Sequence, residues 1–211
     1  MPNTKPIVIA VAKGYLWKEG LALLNKCGIT FESDLSDSRK LSTTDTTGMV
    51  TLLQVRSTDV PAYVENGGAD LGMVGKDVLL EQSPNVVEIL DLKYAGCRLV
   101  LAGTTPIDPK SLPHNTRVAT KYWECTKTYF KAFGLKVIPI KLYGAIELAP
   151  TMGIADIICD LTATGTTLRD NHLVELGTVF ESTARLIANT VSSRSHYDTI
   201  KSLSDQIQTH L

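Results

Sequence analysis

The stretch Ile157-Ile158-Cys159-Asp160-Leu161-Thr162-Ala163-Thr164-Gly165-Thr166-Thr167-Leu168 decides the fold. An apolar run delivers the chain to an acid. A loop of small, hydroxyl-bearing residues follows, and helix-like sequence opens at Thr166. Strand, tight loop and helix in that order form the unit from which α/β sheets are built. The same loop has the chemistry of a phosphate site. Gly165 lets the backbone approach, four threonines offer hydroxyls, and the start of a helix adds N–H donors. Asp160 is an acceptor suited to sugar hydroxyls. The stretch therefore proposes a site for a phosphorylated sugar. An ordinary strand–turn–helix capped by threonines has the same signature.

Outward from this loop, strand-like and helix-like segments alternate along the chain. Towards the N-terminus, residues 7–11 read as a buried strand, and residues 15–27 carry helical apolar spacing that ends before Gly28. Residues 49–55 are a strand, 58–66 a helix with Pro61 in its first turn, 71–74 a strand and 76–82 a helix. Strands follow at 86–90 and 98–102. Pro106, Pro109 and Pro113 punctuate the middle of the chain, and the alternation then restarts. Strands are expected at 117–120, 136–140, 155–159, 178–180 and 185–190. Helices are expected at 124–133, 145–149 and 195–211. An echo links the halves: Gly68-Ala69-Asp70-Leu71 in the first and Gly153-Ile154-Ala155-Asp156-Ile157 in the second.

The fold expected is α/β, two lobes with a cleft, on the plan of type II periplasmic binding proteins. The first lobe is expected to span residues 1–103 plus 187–211, and the second residues 104–186. Ligands in such sheets sit outside the carboxyl ends of the strands.

Composition narrows the function. Net charge is −1, hydrophobic residues make up 44% and charged residues 20%, values of a globular chain with no global attraction to nucleic acid or anionic membranes. No apolar run approaches the ~20 residues of a membrane span. The polar N-terminus runs straight into the first strand without the layout of a secretory signal, so a cytoplasmic location is expected. Cys27, Cys97, Cys125 and Cys159 form no CxxC pair, and the four histidines are scattered, which argues against a zinc knuckle or a triad.

Several further segments, taken with the threonine loop, give the chain a family. They are Ile9-Ala10-Val11-Ala12-Lys13-Gly14, Arg39-Lys40-Leu41, Val55-Arg56-Ser57-Thr58-Asp59-Val60-Pro61 and Gly68-Ala69-Asp70-Leu71-Gly72-Met73-Val74-Gly75-Lys76-Asp77. Gly96-Cys97-Arg98-Leu99, Val118-Ala119-Thr120-Lys121-Tyr122 and Gly144-Ala145-Ile146-Glu147-Leu148-Ala149-Pro150 follow. In this order and spacing they resemble ATP phosphoribosyltransferase, the first enzyme of histidine biosynthesis. The length resembles the family's short form, which lacks a third, regulatory domain. That form implies a separate regulatory subunit related to histidyl-tRNA synthetase catalytic chains, alongside homodimers. The resemblance implies transfer of phosphoribose from 5-phosphoribosyl-1-pyrophosphate to N1 of ATP, with Mg²⁺ held mainly by substrate.

On that resemblance, Thr162, Ala163, Thr164, Gly165, Thr166 and Thr167 would hold the 5-phosphate, and Glu147 and Asp160 the ribose hydroxyls. Lys13, Gly14, Arg39 and Arg56 would meet ATP, with Lys13, Arg39 and Arg56 as catalytic cations for phosphate or pyrophosphate. Guanidinium forks suit phosphate oxygens. Arg98 and Lys121 are weaker candidates. Asp70 and Asp156 read as turn or cap residues. The chain departs from the family at the first loop, where Tyr15 stands in place of an arginine and Ala12 in place of a proline. Alternatives are a two-lobe solute-binding protein, a catalytically weak regulatory homologue, or another phosphoribosyltransferase type. Members of that other type carry two adjacent acids before the Thr-Gly loop; here Cys159 precedes a single Asp160.

Overall fold

The computed structural model describes residues 5–33, 35 and 39–211. In chain order the elements are β1 (Ile7–Ala12), α1 (Tyr15–Lys26), β2 (Ser42–Thr44), β3 (Val50–Val55), α2 (Val60–Glu65), β4 (Leu71–Gly75), α3 (Lys76–Gln82), β5 (Val87–Asp91) and β6 (Cys97–Gly103). They continue with β7 (Arg117–Thr120), α4 (Trp123–Lys131), β8 (Ile138–Lys141), β9 (Ile157–Thr162), α5 (Thr166–Asp170), β10 (Val174–Ser182), β11 (Ala184–Ala188), α6 (Ser192–Ser195) and α7 (Tyr197–Thr209). Single 3-10 turns lie at Pro109–Ser111 and Ile146–Leu148.

The chain divides into two compact units. One comprises Met1–Leu79, Ser83–Ala95 and Thr183–Leu211, the other Leu80–Gln82 and Gly96–Ser182. The first is built on a sheet of order β2-β3-β1-β4-β11-β5, the second on a sheet of order β10-β6-β9-β7-β8. The two orders share one plan. In each, three parallel strands run side by side with the earliest in the middle: β3-β1-β4 and β8-β7-β9. An antiparallel strand then lies beside the third: β11 against β4, and β6 against β9.

These antiparallel strands are supplied out of sequence order, which shifts the expected boundaries. The reading from sequence placed residues 98–102 in the first lobe and 185–186 in the second. In the structure β6 is hydrogen-bonded between β9 and β10, and β11 lies between β4 and β5. The proline-rich punctuation at residues 106–113 marks the loop after β6 rather than the crossover before it.

The aspartates of the sequence echo do the same work in both units. Asp70 Oδ2 accepts a hydrogen bond from the Val8 amide at 2.9 Å, while the Asp70 amide donates to the Val8 carbonyl at 2.8 Å. Asp156 Oδ2 accepts from the Arg117 amide at 2.8 Å, and its amide donates to the Arg117 carbonyl at 2.9 Å. Each aspartate thus ties the start of the third parallel strand to the start of the first.

Both faces of each sheet are covered. In β1, Ile7, Ile9 and Val11 pack with Trp17 and Leu24 of α1 and with Ile200, Leu203 and Ile207 of α7. Ala10 and Ala12 face the other side, against Val60 and Val64 of α2 and Val78 and Leu79 of α3. The period of two is that of a strand. In the second unit Leu99, Leu101, Val118 and Cys159 pack with Phe130 of α4. Val100, Ala119 and Ile158 pack with Ile146, Leu168 and Leu173. Cys125 and Cys159 are buried, Cys27 and Cys97 half-buried.

Some elements differ from the sequence reading. The expected helix at 145–149 is a single 3-10 turn beginning after Ala145, whose φ is 48°. The expected strand at 178–180 is the middle of the longer β10. Strand β2 and the short α6 have too little apolar content to announce themselves. In the polar stretch from Asp34 to Thr47, residues 34 and 36–38 lie outside the described residues. The remainder forms β2 and brings buried Asp45 to the β2–β3 turn, where it accepts from the amides of Thr47, Met49 and Val50.

Gly72 sits where β4 meets α2 and β11. A Cβ there would lie 2.8 Å from Val60 Cγ1, 2.8 Å from Val64 Cγ2 and 3.0 Å from Ile187 Cγ1. Overpacking of this kind costs about 1–3 kcal/mol. Gly72→Ala is expected to lower stability by that amount in urea denaturation.

Candidate active site

In the second unit, β7 and β9 are parallel neighbours with Thr120 opposite Cys159. Lys121 and Asp160, one residue on, therefore stand at the same level towards the carboxyl ends of the strands. Lys121 Nζ lies 3.8 Å from Asp160 Oδ1 and 5.2 Å from the centre of the Tyr122 ring. Asp160 is largely buried and accepts from the Leu161 amide at 2.9 Å. Burial pushes its carboxyl above the ordinary aspartate range, and the negative charge of Glu147 adds to the rise. The Lys121 charge and the Leu161 hydrogen bond oppose it without cancelling it. Glu147, on the 3-10 turn Ile146–Leu148, is thus felt electrostatically at Asp160. Two carboxylates and one ammonium form the floor of the site.

The threonine loop begins where β9 ends. Thr162 is buried, and its Oγ1 accepts from the Gly165 amide at 2.8 Å. Gly165 has φ 73°, a conformation that suits glycine. Thr164 and Thr166 are exposed, and their hydroxyls bond each other at 3.0 Å. Arg169, on α5, donates from Nη1 to the Thr164 carbonyl at 3.1 Å and from Nη2 to Thr166 Oγ1 at 3.0 Å. Thr167 and Ala163 are exposed beside them. The structure thus brings together Glu147, Asp160 and residues 162–167, and adds Lys121 and Arg169.

In the first unit, β1 and β3 are parallel and in register, with Ala12 opposite Val55. Lys13 and Arg56 follow them at one level, and the Lys13 amide bonds the Val55 carbonyl at 2.9 Å. Gly14 turns the chain into α1 with φ 83° and ψ −134°, and Tyr15, the first helical residue, is 61% exposed. Lys13, Arg39 and Arg56 are exposed, and among the described residues their side chains make no ion pair. Lys13 and Arg56 are the pair that the sheet juxtaposes; Arg39 precedes β2, which borders β3.

Two residues carry more than the sequence suggested. Lys121 is one of the weaker candidates from sequence; its partnership with Asp160 depends on the pairing of β7 with β9, strands far apart in sequence. Arg169 was not singled out, although its position three residues after Thr166 on a helix is a readable signal. Arg98, by contrast, forms a bidentate pair with Glu175 across β6 and β10. That cross-strand pair belongs to the sheet.

Comparison with known proteins matches the family profile for ATP phosphoribosyltransferase (HisG) to residues 56–209, the threonine loop included. The chain belongs to the ATP phosphoribosyltransferase family. The ATP phosphoribosyltransferase of Crocosphaera subtropica is 47% identical over 206 residues, spanning 96% of this chain and 97% of that one. "ATP phosphoribosyltransferase 2" of Geobacter sulfurreducens is 44% identical, spanning 99% and 100%. Among solved structures, a chain of the ATP phosphoribosyl transferase (HisG:HisZ) complex from Thermotoga maritima superposes with a TM-score of 0.82 at 32% identity, covering 96% and 97%. The periplasmic aliphatic sulphonate binding protein from Escherichia coli shares the fold at 14% identity and a TM-score of 0.62. The two-lobe α/β plan is therefore common to this ATP phosphoribosyltransferase family and to type II binding proteins. Likeness at the level of sequence points to the transferase family.

The raised pKa of Asp160 has a definite sign for stability. A carboxyl that is harder to ionise in the fold favours the folded state while protonated. That contribution is lost as pH rises from the ordinary aspartate value through the raised one. Asp160→Asn keeps it and is expected to resist urea better than the parent at pH 7. In an NMR titration the Asp160 midpoint should lie above the ordinary value, fall in Glu147→Gln and rise further in Lys121→Met.

Proposed function

We propose that this chain transfers phosphoribose from 5-phosphoribosyl-1-pyrophosphate to N1 of ATP, releasing pyrophosphate, in the first step of histidine biosynthesis. One observation carries the reading: likeness to the transferase family runs over nearly the whole of this chain and of its relatives.

The adenine nitrogen already holds a lone pair, so the reaction needs alignment and charge stabilisation more than a strong base. As the C1–O bond to pyrophosphate breaks, positive charge develops on the ribose and negative charge on the leaving group. The C1–N1 bond forms from the adenine lone pair. We assign the ribose hydroxyls to Asp160 and Glu147, which as carboxylates also favour a developing positive centre. We assign the 5-phosphate to Thr162–Thr167. The Thr162 hydroxyl contributes by shaping the loop, since it is engaged with Gly165. Lys13, Gly14, Arg39 and Arg56 are assigned to ATP and pyrophosphate, with Lys13, Arg39 and Arg56 supplying the charge that steadies the leaving group.

A divalent metal, which we take to be Mg²⁺, fits this donor set as a companion of the diphosphate. Among the described residues no three His, Cys, Asp or Glu side chains gather as a metal cage. Asp160 and Glu147 are the carboxylates nearby, and Lys121 sits beside one of them. Asp160 and Glu147 would be the residues to meet such an ion, which when bound with the substrate would screen the phosphates and polarise the leaving oxygen.

We further propose a homodimer working with a separate regulatory subunit, in the place that HisZ takes in the HisG:HisZ complex from Thermotoga maritima, and a cytoplasmic location. No helix among the described residues is long and apolar enough to cross a membrane.

The test is a spectroscopic assay of the chain with ATP, phosphoribosyl pyrophosphate, Mg²⁺ and a pyrophosphatase. A chromophore that requires both substrates is expected. Its absence with the regulatory subunit also present refutes the reading. Thr164→Val is expected to weaken phosphoribosyl pyrophosphate binding more than ATP binding in calorimetry; equal loss overturns the loop assignment. Arg56→Ala should lower kcat about a hundredfold, as loss of a charge-stabilising donor does. Because Arg56 is exposed, Tm should be unchanged, and a large drop in Tm would make it structural.

A further inference from the structure

The peptide between Thr164 and Gly165 is held at both ends. Its carbonyl accepts from Arg169 Nη1 at 3.1 Å, and its N–H donates to Thr162 Oγ1 at 2.8 Å. Glycine tolerates φ of either sign, so the backbone itself gives this peptide little reason to keep one orientation. Gly165 has φ 73°, and a Cβ there would lie 3.3 Å from Arg169 Nη1. The guanidinium therefore packs against the bare face of the glycine. Its second nitrogen, Nη2, donates to Thr166 Oγ1 at 3.0 Å, which in turn lies 3.0 Å from Thr164 Oγ1. One side chain thus grips the carbonyl of residue 164 and the hydroxyl of residue 166 across the glycine. Among the described residues Arg169 has no carboxylate partner, so its charge remains at the loop.

The orientation of that peptide matters for an anion. A flip exchanges the positions of a carbonyl oxygen and an N–H, and an oxygen turned towards a phosphate repels it. We infer that Arg169 is a positioning residue: it holds the Thr164–Gly165 peptide and the Thr166 hydroxyl in the arrangement from which the loop takes up the ribose 5-phosphate. This rests on the assignment of the loop to phosphoribosyl pyrophosphate. A lysine cannot reproduce the grip, because one ammonium does not present the planar fork that reaches two acceptors at once.

The experiment measures binding of phosphoribosyl pyrophosphate with Mg²⁺, and separately of ATP, by calorimetry on the full chain. It compares the parent with Arg169→Ala, Arg169→Lys and Thr164→Val. Arg169→Ala is expected to weaken phosphoribosyl pyrophosphate binding about tenfold, the scale of a lost charge-assisted hydrogen bond, with ATP affinity and Tm unchanged. Arg169→Lys should fall between parent and alanine variant. If Thr164→Val weakens binding while Arg169→Ala matches the parent, the role of Arg169 is overturned and the loop assignment stands. Equal loss for both ligands, or a lowered Tm, also overturns it. If the parent does not bind phosphoribosyl pyrophosphate, or Thr164→Val leaves binding intact, the loop assignment falls and this inference falls with it.

Discussion

The reciprocal bonds of Asp70 with Val8 and of Asp156 with Arg117 set the frame on which the rest depends. No hairpin turn links a parallel pair of strands, so a bond shared by their two starts adds to what the ladder and the buried faces say about register. A slip of one residue would send every side chain to the opposite face. In each unit an aspartate closes this gap. Its carboxylate takes an amide at the start of the first strand, and its own amide returns a bond to the same residue. With register fixed at the amino ends of β7 and β9, Lys121 falls beside Asp160 at their carboxyl ends; in the first unit the pairing of β1 with β3 sets Lys13 beside Arg56.

The electrostatics of the second unit divide into a floor and a rim. The floor holds a carboxyl that burial makes reluctant to ionise, a second carboxylate that reinforces this, and an ammonium that opposes it. The rim is a loop whose polar groups bond one another: Thr162 to Gly165, Thr164 to Thr166, Arg169 to both Thr164 and Thr166. A loop satisfied internally keeps its shape at little entropic cost when a ligand arrives. Destabilisation concentrated at the floor is the pattern expected where function overrides stability.

Much of the architecture was legible because its signals are local. The continuous apolar run of β1, the helical spacing in α1 and α7, Pro61 at the start of α2, and the strand–loop–helix around Gly165 all depend on neighbours within a few residues. The echo around Asp70 and Asp156 marked equivalent turns, although its purpose emerged only from the strand pairing. The division of the chain was less legible, since nothing in the composition of β6 or β11 says which sheet will accept it. Leu99–Ala102 and Leu186–Ala188 are buried apolar runs of the same kind. The threonine loop and Asp160 stood out as chemistry, whereas the closeness of Lys121 comes from pairing across sequence and that of Arg169 from a helical turn of only five residues.

The exchange of antiparallel strands bears on how the chain is made. On a ribosome, the first unit has β1 to β5 available early, yet the slot between β4 and β5 stays open until β11 emerges near the end. The second unit has nearly all its sheet in the continuous run Gly96–Ser182 and needs nothing from the final segment. The half that begins later is thus the first able to finish its sheet. Meanwhile the buried strand β4 presents an unpaired edge, the kind of surface that invites pairing with another chain. The return of the last strands to the first sheet makes synthesis of the C-terminal segment the step that ends this exposure.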